Sequence, residues 1–385
     1  MSTPIPPFER LLIVKSSSIG DVVHALPVVE AIKHAKPDLT IGWVVRKRCA
    51  DVLTGNPVID HLHIVDNKPS LGDLLRLRRE LRAQRYEVAL DMQGLFLSGL
   101  YAVLSGAPIR IGIDRNRENN KLFLTHPVIP GKPENPGTSG AMPTASGRHV
   151  ASDPNGRDRH AVDILYGFAE YLGVDVEHTD FPPQAYLAQG ADAALLAEIR
   201  RGSGRKICLN VGASSMYKQW PVDHWSTLAA KLLEAGDTVV FVGDKRDAEV
   251  VKQVTSTLSG ASSSSTAAGH LASGFIPAAV VDVSGRTNLR QLAAVLQACD
   301  IVITGDTGPM HIAVAVGTPT VALFGSTNPD RTGPYGKRNV VLNMHLACSP
   351  CYRKPTCNGR VDCMRDITPE AVMKAVEDKL RITNV

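Results

Sequence analysis

The chain has 385 residues, of which 44% are hydrophobic and 21% charged, and its formal net charge is +4. This length and composition are typical of a globular protein with two domains. No run approaches the roughly 18 consecutive apolar residues of a membrane-spanning helix, and the small net charge does not indicate nucleic-acid binding. The first residues, MSTPIPPFER, lack the pattern of a secretory signal, so we expect a cytoplasmic protein.

Short apolar segments alternate with helical patterns in the first half of the chain. Each segment has the length and composition of a buried strand in a parallel sheet. The predicted strands are 11–14, 40–45, 59–65 and 88–91. We therefore expect a doubly wound α/β domain with a ligand site at the carboxyl ends of its strands.

The first predicted strand leads into the polar sequence KSSSIGD at 15–21, followed by a helix predicted to run to about Ala35. Asp21 lies where a helix N-cap is expected, and capping alone would account for a carboxylate there. Alternatively, a carboxylate beside a ligand site can act as a general base. His24 lies one turn further, where it either orients a ligand or is an ordinary, partly buried histidine.

A basic helix is predicted between the third and fourth strands. Its leucines have helical spacing that leaves most of its arginines on exposed faces. The leucines are Leu74, Leu75, Leu77 and Leu81, and the arginines are Arg76, Arg78, Arg79, Arg82 and Arg85. Either a solvated helix face or a surface that faces an anion or a membrane would explain this composition.

The second half repeats the alternation of strands and helices. Its predicted strands are 207–210, 238–242, 301–304 and 320–323. We therefore expect two Rossmann-like domains, at 1–185 and 186–365, and a C-terminal helical segment at 366–385.

Three further stretches complete the organisation of the chain. Thr368, Pro369 and Glu370 suit the N-cap and first turn of a helix that runs to about Arg381. The stretches 131–159 and 256–272 are rich in small polar residues. We expect the first to be a mobile insertion and the second a surface loop.

The segment IVITGDTGPMHIAVAVGTPTVALFG at 301–325 predicts a strand, a tight turn, a helix and a second strand. Small residues from Gly305 to Gly308 let the backbone approach a ligand closely, and Pro309 suits the first turn of a helix. The N–H groups and the positive dipole end of that helix form a site for a phosphate. Because many such loops bind no phosphate, the segment alone is a weak indication.

Four cysteines lie in CSPCYRKPTCNGRVDC, at Cys348, Cys351, Cys357 and Cys363. A C-x-x-C pair followed by two thiols could close a tetrahedral zinc site, although only the first pair has typical ligand spacing. Reduced structural thiols are expected in a protein without a secretory signal. A structural metal and disulfides are the alternatives.

Two long motifs, VKSSSIGDVVHALPVVEAI and GDTGPMHIAVAVGTPTVALFGSTNPDRTGPYG, resemble glycosyltransferase family 9, the bacterial ADP-heptose:lipopolysaccharide heptosyltransferases. Further similar segments are DMQG at 91–94, RIGID at 110–114, GASSMYKQWP at 212–221 and DITPEAV at 366–372. The first motif is more similar to the heptosyltransferase I branch. The resemblance implies a GT-B fold, in which two Rossmann-like domains face each other across a cleft and the C-terminal helix packs back on the N-terminal domain.

The resemblance also implies an inverting, metal-independent transfer of heptose from ADP-heptose, with no cofactor. Asp21 matches the family's candidate base, and Lys218 would stabilise the departing diphosphate. Glu249, preferred over Asp247, would hold the adenosine ribose. The other donor-binding residues that it implies are Ser17, Gly20, Asp306, Thr307, Gly308 and His311.

The implied acceptor is the anionic inner core of lipopolysaccharide, of the Kdo/lipid A type, reached by a peripheral enzyme on the cytoplasmic face of the inner membrane. Its candidate contacts are Lys68, Gln93, Arg115 and Arg117. Many family members carry a lysine after DMQGL, where this chain has FLS at 96–98. That difference favours the first alternative, a family 9 transferase for another nucleotide sugar or acceptor. A catalytically silent nucleotide-sugar-binding protein and a nucleotide-sugar epimerase are the others.

Overall fold

The computed structural model describes residues 5–113, 117–128, 159–176, 181–189, 192–261, 279–352 and 357–383. The chain divides into two compact units, Met1–Asp180 and Phe181–Val385. This division lies slightly before the boundary expected after residue 185. The expected mobile insertion at 131–159 lies outside the described residues, apart from Arg159.

The first unit contains one six-stranded parallel sheet in the order β3-β2-β1-β4-β5-β6. Its strands are β1 (Arg10–Val14), β2 (Thr40–Arg46), β3 (His61–Val65), β4 (Val88–Asp91), β5 (Ile109–Ile113) and β6 (His126–Val128). Its helices are α1 (Ile19–Ala35), α2 (Leu71–Ala83), α3 (Phe96–Ser105) and α4 (Ala161–Tyr171). This strand order is that of the Rossmann fold.

The second unit has the same architecture, with a parallel sheet in the order β12-β11-β10-β7-β8-β9. Its strands are β7 (Lys206–Asn210), β8 (Thr238–Val242), β9 (Val280–Asp282), β10 (Ile301–Gly305), β11 (Thr320–Phe324) and β12 (Val340–Asn343). Its helices are α5 (Ala193–Arg201), α6 (Val222–Glu234), α7 (Ala248–Ala261), α8 (Leu289–Gln297), α9 (Gly308–Ala315), α10 (Pro329–Thr332), α11 (Asp362–Arg365) and α12 (Pro369–Thr383). The expected α/β class with two doubly wound domains is confirmed.

Each sheet is held by its own apolar core, because helices cover both faces of a doubly wound sheet. One core cluster of the first unit joins β1, β2 and β4 to leucines of α2 and to Tyr101 of α3. The core of the second unit contains two buried tryptophans, Trp220 and Trp225, whose rings meet edge to face at 4.7 Å. Among the described residues, no helix is both long and apolar enough to cross a bilayer.

The C-terminal helix α12 belongs to the core of the second unit, and its expected packing against the N-terminal domain stays a prediction. Its buried residues Val372, Val376 and Leu380 belong to the core cluster of this unit, and the helix packs against α6, β11 and β12. An amphipathic helix buries its apolar stripe on the nearest apolar surface, which α6 and the edge of this sheet supply. The predicted N-cap is confirmed, since the Thr368 hydroxyl accepts the Ala371 N–H at 3.2 Å.

The strands that the sequence did not predict are β5, β6, β9 and β12. Three of them lie at sheet edges, where only short segments pair and one side of the strand has no neighbour. In β5, Arg110 and Gly112 interrupt the apolar pattern. The first six residues of the loop expected at 256–272 are helical, because α7 continues to Ala261, and the rest of that stretch lies outside the described residues. The hydroxyls of Ser256 and Thr257 donate to carbonyls of the preceding helical turn, at 2.8 and 2.7 Å, and so remain compatible with a helix.

Candidate active site

The strand order reverses between β1 and β4 in the first sheet and between β7 and β10 in the second. In doubly wound folds, ligands bind at the carboxyl ends of the strands at this point. We call the loops after β1 and β4 the first edge, and the loops after β7 and β10 the second edge. Both edges contain residues that the sequence assigned to the site.

At the first edge, Asp21 is the third residue of α1 and Ser18 is its N-cap. The sequence had placed Asp21 itself at the N-cap. Instead, its Oδ2 accepts the Ser18 N–H at 2.9 Å and the Ser18 hydroxyl at 2.7 Å, in the manner of a capping box. The Asp21 side chain remains 45% exposed, so the carboxylate is both oriented and accessible. His24, one turn later, is buried beside the ring of His160.

Lys15 lies beside the Asp21 carboxylate, and the sequence analysis assigned no function to this lysine. Its side chain is only 8% exposed, and its ammonium lies 3.5 Å from Asp21 Oδ1. The ammonium also donates to the Met92 carbonyl at 2.9 Å, which joins the loops after β1 and β4. The sequence held one indication of this buried cation, which is a lysine directly after the apolar residues of β1.

Gln93 and Asp91 hold the two loops of the first edge together. Gln93 Oε1 accepts the N–H groups of Ser16 and Ser17 at 3.1 and 3.2 Å. Asp91 Oδ1 accepts the N–H groups of Gln93 and Gly94 at 3.1 and 2.9 Å. Burial raises the pKa of Asp91 to about 6, although these hydrogen bonds act in the opposite direction. Gln93 and Ser17, assigned to the acceptor and the donor, therefore belong to one rigid loop pair.

At the second edge, Lys218 and Asp306 form an ion pair. The Lys218 ammonium lies 2.6 Å from Asp306 Oδ2 and donates to the Asp306 carbonyl at 3.2 Å. Their side chains are 22% and 9% exposed, so the lysine is the more accessible partner. Gly305 permits this approach, because a Cβ there would lie only 3.1 Å from the Lys218 carbonyl oxygen.

Asn210, at the end of β7, connects the two loops of the second edge. Its side-chain amide donates to the hydroxyls of Thr304 and Thr307 at 2.8 and 2.9 Å. Thr307 is the N-cap of α9, but its hydroxyl makes no capping bond with this helix. The first-turn N–H groups of Gly308 and Met310 can therefore bind an anion, whereas Pro309 has no N–H, and His311 is buried within the same turn. Sequence reasoning missed Asn210, since its partners are about a hundred positions away.

The expected ribose ligand, Glu249, is exposed on the first turn of α7. Asp247 lies closer to the second edge, because its side chain packs against Gly212 and Gly243. Its Oδ2 accepts the Asp244 N–H at 2.8 Å, and burial raises its pKa. Asp247, rather than Glu249, is thus the carboxylate that contacts the loop after β7.

The expected acceptor residues are less well placed. Lys68 is exposed between β3 and α2. Arg115 lies outside the described residues, and so does the side chain of Arg117. No contact with a ligand is therefore defined for these three cations.

The four clustered cysteines have free thiols. Burial and the neighbouring thiols raise the pKa of Cys363 to about 11. Within the described residues, no three histidine, cysteine, aspartate or glutamate side chains are grouped so that they could hold a metal ion.

Comparisons with known proteins place this architecture in a family. The model of glycosyltransferase family 9 (heptosyltransferase) matches residues 74–134 and 148–361. Lipopolysaccharide heptosyltransferase 1 of Pseudomonas aeruginosa is 29% identical over 358 residues, which cover 90% of this chain and 87% of that protein.

Solved structures agree in fold. A family 9 glycosyl transferase from Veillonella parvula has a TM-score of 0.73 and 23% identity, covering 97% of both chains. The Escherichia coli heptosyltransferase WaaC with ADP has a TM-score of 0.69 and 22% identity, covering 96% of this chain and 99% of that chain. The two sheets, the edges at their switch points and the family match together identify the chain as a glycosyltransferase of family 9 with the GT-B fold.

Proposed function

We propose that this glycosyltransferase moves heptose from ADP-heptose to the lipopolysaccharide inner core, an acceptor of the Kdo/lipid A type. The observation that carries the proposal is the second edge, where the Lys218 ammonium lies beside the N-terminus of α9. A cation and free helix N–H groups suit a diphosphate. The names of the relatives support the donor and acceptor, since one is a lipopolysaccharide heptosyltransferase and another was solved with ADP.

Asp21 is the proposed general base. Inversion at the anomeric carbon needs one displacement, in which the acceptor hydroxyl attacks as it loses its proton. The bonds from Ser18 and the ammonium of Lys15 hold the Asp21 carboxylate in one orientation while leaving it exposed to a substrate. An oriented and exposed carboxylate can accept the proton of a substrate hydroxyl that binds within hydrogen-bond reach.

Lys218 is the proposed partner of the leaving group. As the glycosidic bond to the donor breaks, negative charge grows on the diphosphate of ADP. Lys218 and the first N–H groups of α9 can offset this charge without a metal ion. Asp306 keeps the ammonium in place before the donor binds and is then available to a sugar hydroxyl.

The exposed face of α2 is the proposed membrane-contacting surface. Leu71 and Leu75 are 73% and 57% exposed, and Arg78 continues the same face of the helix. The acids of this helix, Asp73 and Glu80, pair with Arg76 on another face. Within the described residues, Arg78 and Arg79 form no salt bridge. Exposed leucines beside unpaired arginines suit an anionic bilayer surface.

Vesicle flotation tests this surface. Wild-type protein should float with phosphatidylcholine vesicles that contain phosphatidylglycerol, and less with phosphatidylcholine alone. The double variant Arg78→Glu/Arg79→Glu should bind roughly tenfold or more weakly, since each basic residue near such a surface contributes about 1 kcal/mol. Equal loss in the control Arg200→Glu/Arg201→Glu, on α5 of the other unit, would refute a specific role for α2.

The donor is tested by thermal stabilisation with ADP, UDP, GDP and CMP at equal concentration in buffer containing EDTA. A nucleotide at 100 times its Kd should add about 2.7 kcal/mol to the free energy of unfolding. Stabilisation by ADP alone, followed by transfer from ADP-heptose, would support the proposal. Preference for another nucleotide would indicate a different donor, and nucleotide binding without turnover would indicate a silent binding protein.

A further inference from the structure

Arg46, the last residue of β2, has a guanidinium that is partly buried without a partner. Its Nε is covered, and no hydrogen-bond acceptor or carboxylate contacts its side chain among the residues that the structure describes. A buried donor without an acceptor costs free energy, and a buried unpaired charge costs more. Such a group therefore indicates a missing water or ligand.

A second orphaned donor lies on the same face of the sheet. The Tyr101 hydroxyl on α3 is buried and has no hydrogen-bond partner among the described residues. Tyr101 packs in the same core cluster as Val44, which points to the same face of β2 as Arg46, and the Arg46 charge acts on the phenol. Burial nevertheless raises the pKa of Tyr101 to about 12, so the phenol remains a donor. Two donors on one face of the sheet, neither of them bonded to an acceptor, suit an anion.

This pair of donors belongs to the first edge. The Arg46 N–H donates to the Ser16 carbonyl at 3.0 Å, so β2 ends beside the loop that leads to Asp21. The Cys49 thiol, in the turn after β2, lies within the electrostatic influence of Arg48, Arg46 and Asp21. The charges of the proposed base and of these two arginines therefore all act on this thiol. Lys47 and Arg48 are exposed and add further positive charge there.

We propose that Arg46 binds an anionic group of the acceptor, a carboxylate or a phosphate, and so places the acceptor hydroxyl beside Asp21. The inference rests on the proposed function, which supplies the acceptor. A planar guanidinium binds either anion through paired N–H groups, which a lysine cannot do. A role for Arg46 in acceptor binding also accounts for the absence of a lysine after DMQGL, where many family members carry one. That stretch is the first turn of α3, the helix that carries Tyr101 about one turn later, and the Arg46 charge acts on that phenol.

The test compares wild type with Arg46→Gln, using a deacylated, water-soluble Kdo–lipid A acceptor. Loss of a charged hydrogen-bonded contact should raise the acceptor KM by about 10- to 100-fold. The KM for ADP-heptose and the stabilisation by ADP should not change. Arg46→Lys should give an intermediate KM, because it keeps the charge and loses the paired geometry. The control Arg200→Gln, at an exposed site of the other unit, should leave every value unchanged.

Two modified acceptors identify the anion, one with methyl-esterified Kdo carboxylates and one without phosphates. The acceptor that lacks the anion bound by Arg46 should be equally poor for wild type and for Arg46→Gln. If the difference between the two enzymes persists with both modified acceptors, or if the acceptor KM is unchanged, the inference is wrong.

The inference can also be judged if the proposed function fails. Should wild type transfer heptose to no acceptor, calorimetric titration with Kdo monosaccharide and with inorganic phosphate would measure anion binding directly. Loss of that binding in Arg46→Gln, but not in Arg200→Gln, would support an anion site at Arg46. Equal or absent binding in all three proteins would overturn it.

Discussion

The two edges contain the same pair of charges with opposite burial. At the first edge the lysine is covered and the aspartate is accessible, with Lys15 8% and Asp21 45% exposed. At the second edge the aspartate is covered and the lysine is the more accessible, with Asp306 9% and Lys218 22% exposed. One strand order therefore supports two chemistries. The first edge offers a carboxylate to a substrate, as a base requires, and the second offers a cation, as a diphosphate requires.

The largest expected effect comes from removing the exposed carboxylate. Asp21→Asn should lower turnover by roughly 10²- to 10⁴-fold, the usual contribution of a general base, with ADP binding unchanged. Steady-state kinetics and ADP titration measure the two quantities.

The chain offers a matched control for this substitution. Asp73 accepts the N–H and the hydroxyl of Ser70 at 2.9 and 2.7 Å, the same distances as in the box of Asp21. Asp73→Asn should thus lose a similar free energy of helix capping and leave turnover unchanged. If both variants lose activity equally, Asp21 is only a capping residue.

The next effect comes from removing the exposed cation. Lys218→Met should reduce turnover by roughly 10²- to 10³-fold, because a donor aimed at growing negative charge is lost. It should also weaken ADP binding, which Asp21→Asn should not do. Lys231→Met is the control, since Lys231 forms an exposed ion pair with Glu370 in the same unit. Unchanged ADP affinity in Lys218→Met would remove this lysine from the donor site.

The smallest expected effect is on stability, and it concerns Asp91, which helps to hold the two loops of the first edge together. The pKa of Asp91 rises from its usual 3.8 to about 6, so the folded protein holds this proton more tightly than the unfolded chain. Stability from this group is therefore complete below about pH 4 and decreases as pH rises to about 6. Relative to Asp91→Asn, the free energy of unfolding of wild type should fall by about 2–3 kcal/mol across this range. Urea denaturation at a series of pH values measures it.

A contrasting control checks the sign. Hydrogen bonds from Ser70 lower the pKa of Asp73, so that group should stabilise the fold at higher pH and lose this effect on acidification. Wild type compared with Asp73→Asn should then show the opposite pH trend. The same trend for both variants would contradict the assignment to Asp91.

Most interior strands could be predicted from sequence, because strands covered on both faces are nearly continuous apolar runs, and so could the edge strand β3. The other edge strands could not, since a segment such as β6 has three residues, one of them a proline. The interior strand β5 was also missed, because Arg110 and Gly112 interrupt its apolar pattern. The resemblance named Lys218 and Asp306 but not their pairing, which spans 88 positions and depends on β7 lying beside β10. The sequence could not show that Lys15 is buried either, because its partner Met92 follows β4, which is close to Lys15 in space but not in sequence.

The position of α12 in the second core has a consequence for biosynthesis. The Lys218 loop continues into buried Trp220, whose indole N–H donates to the Ile367 carbonyl at 2.8 Å, just before α12. Since domains fold as units during synthesis, the second unit cannot complete its core until the polypeptide has been made as far as Leu380. The first unit has no such requirement. During translation the unit that contains the proposed base should therefore fold well before the unit that contains the proposed nucleotide site.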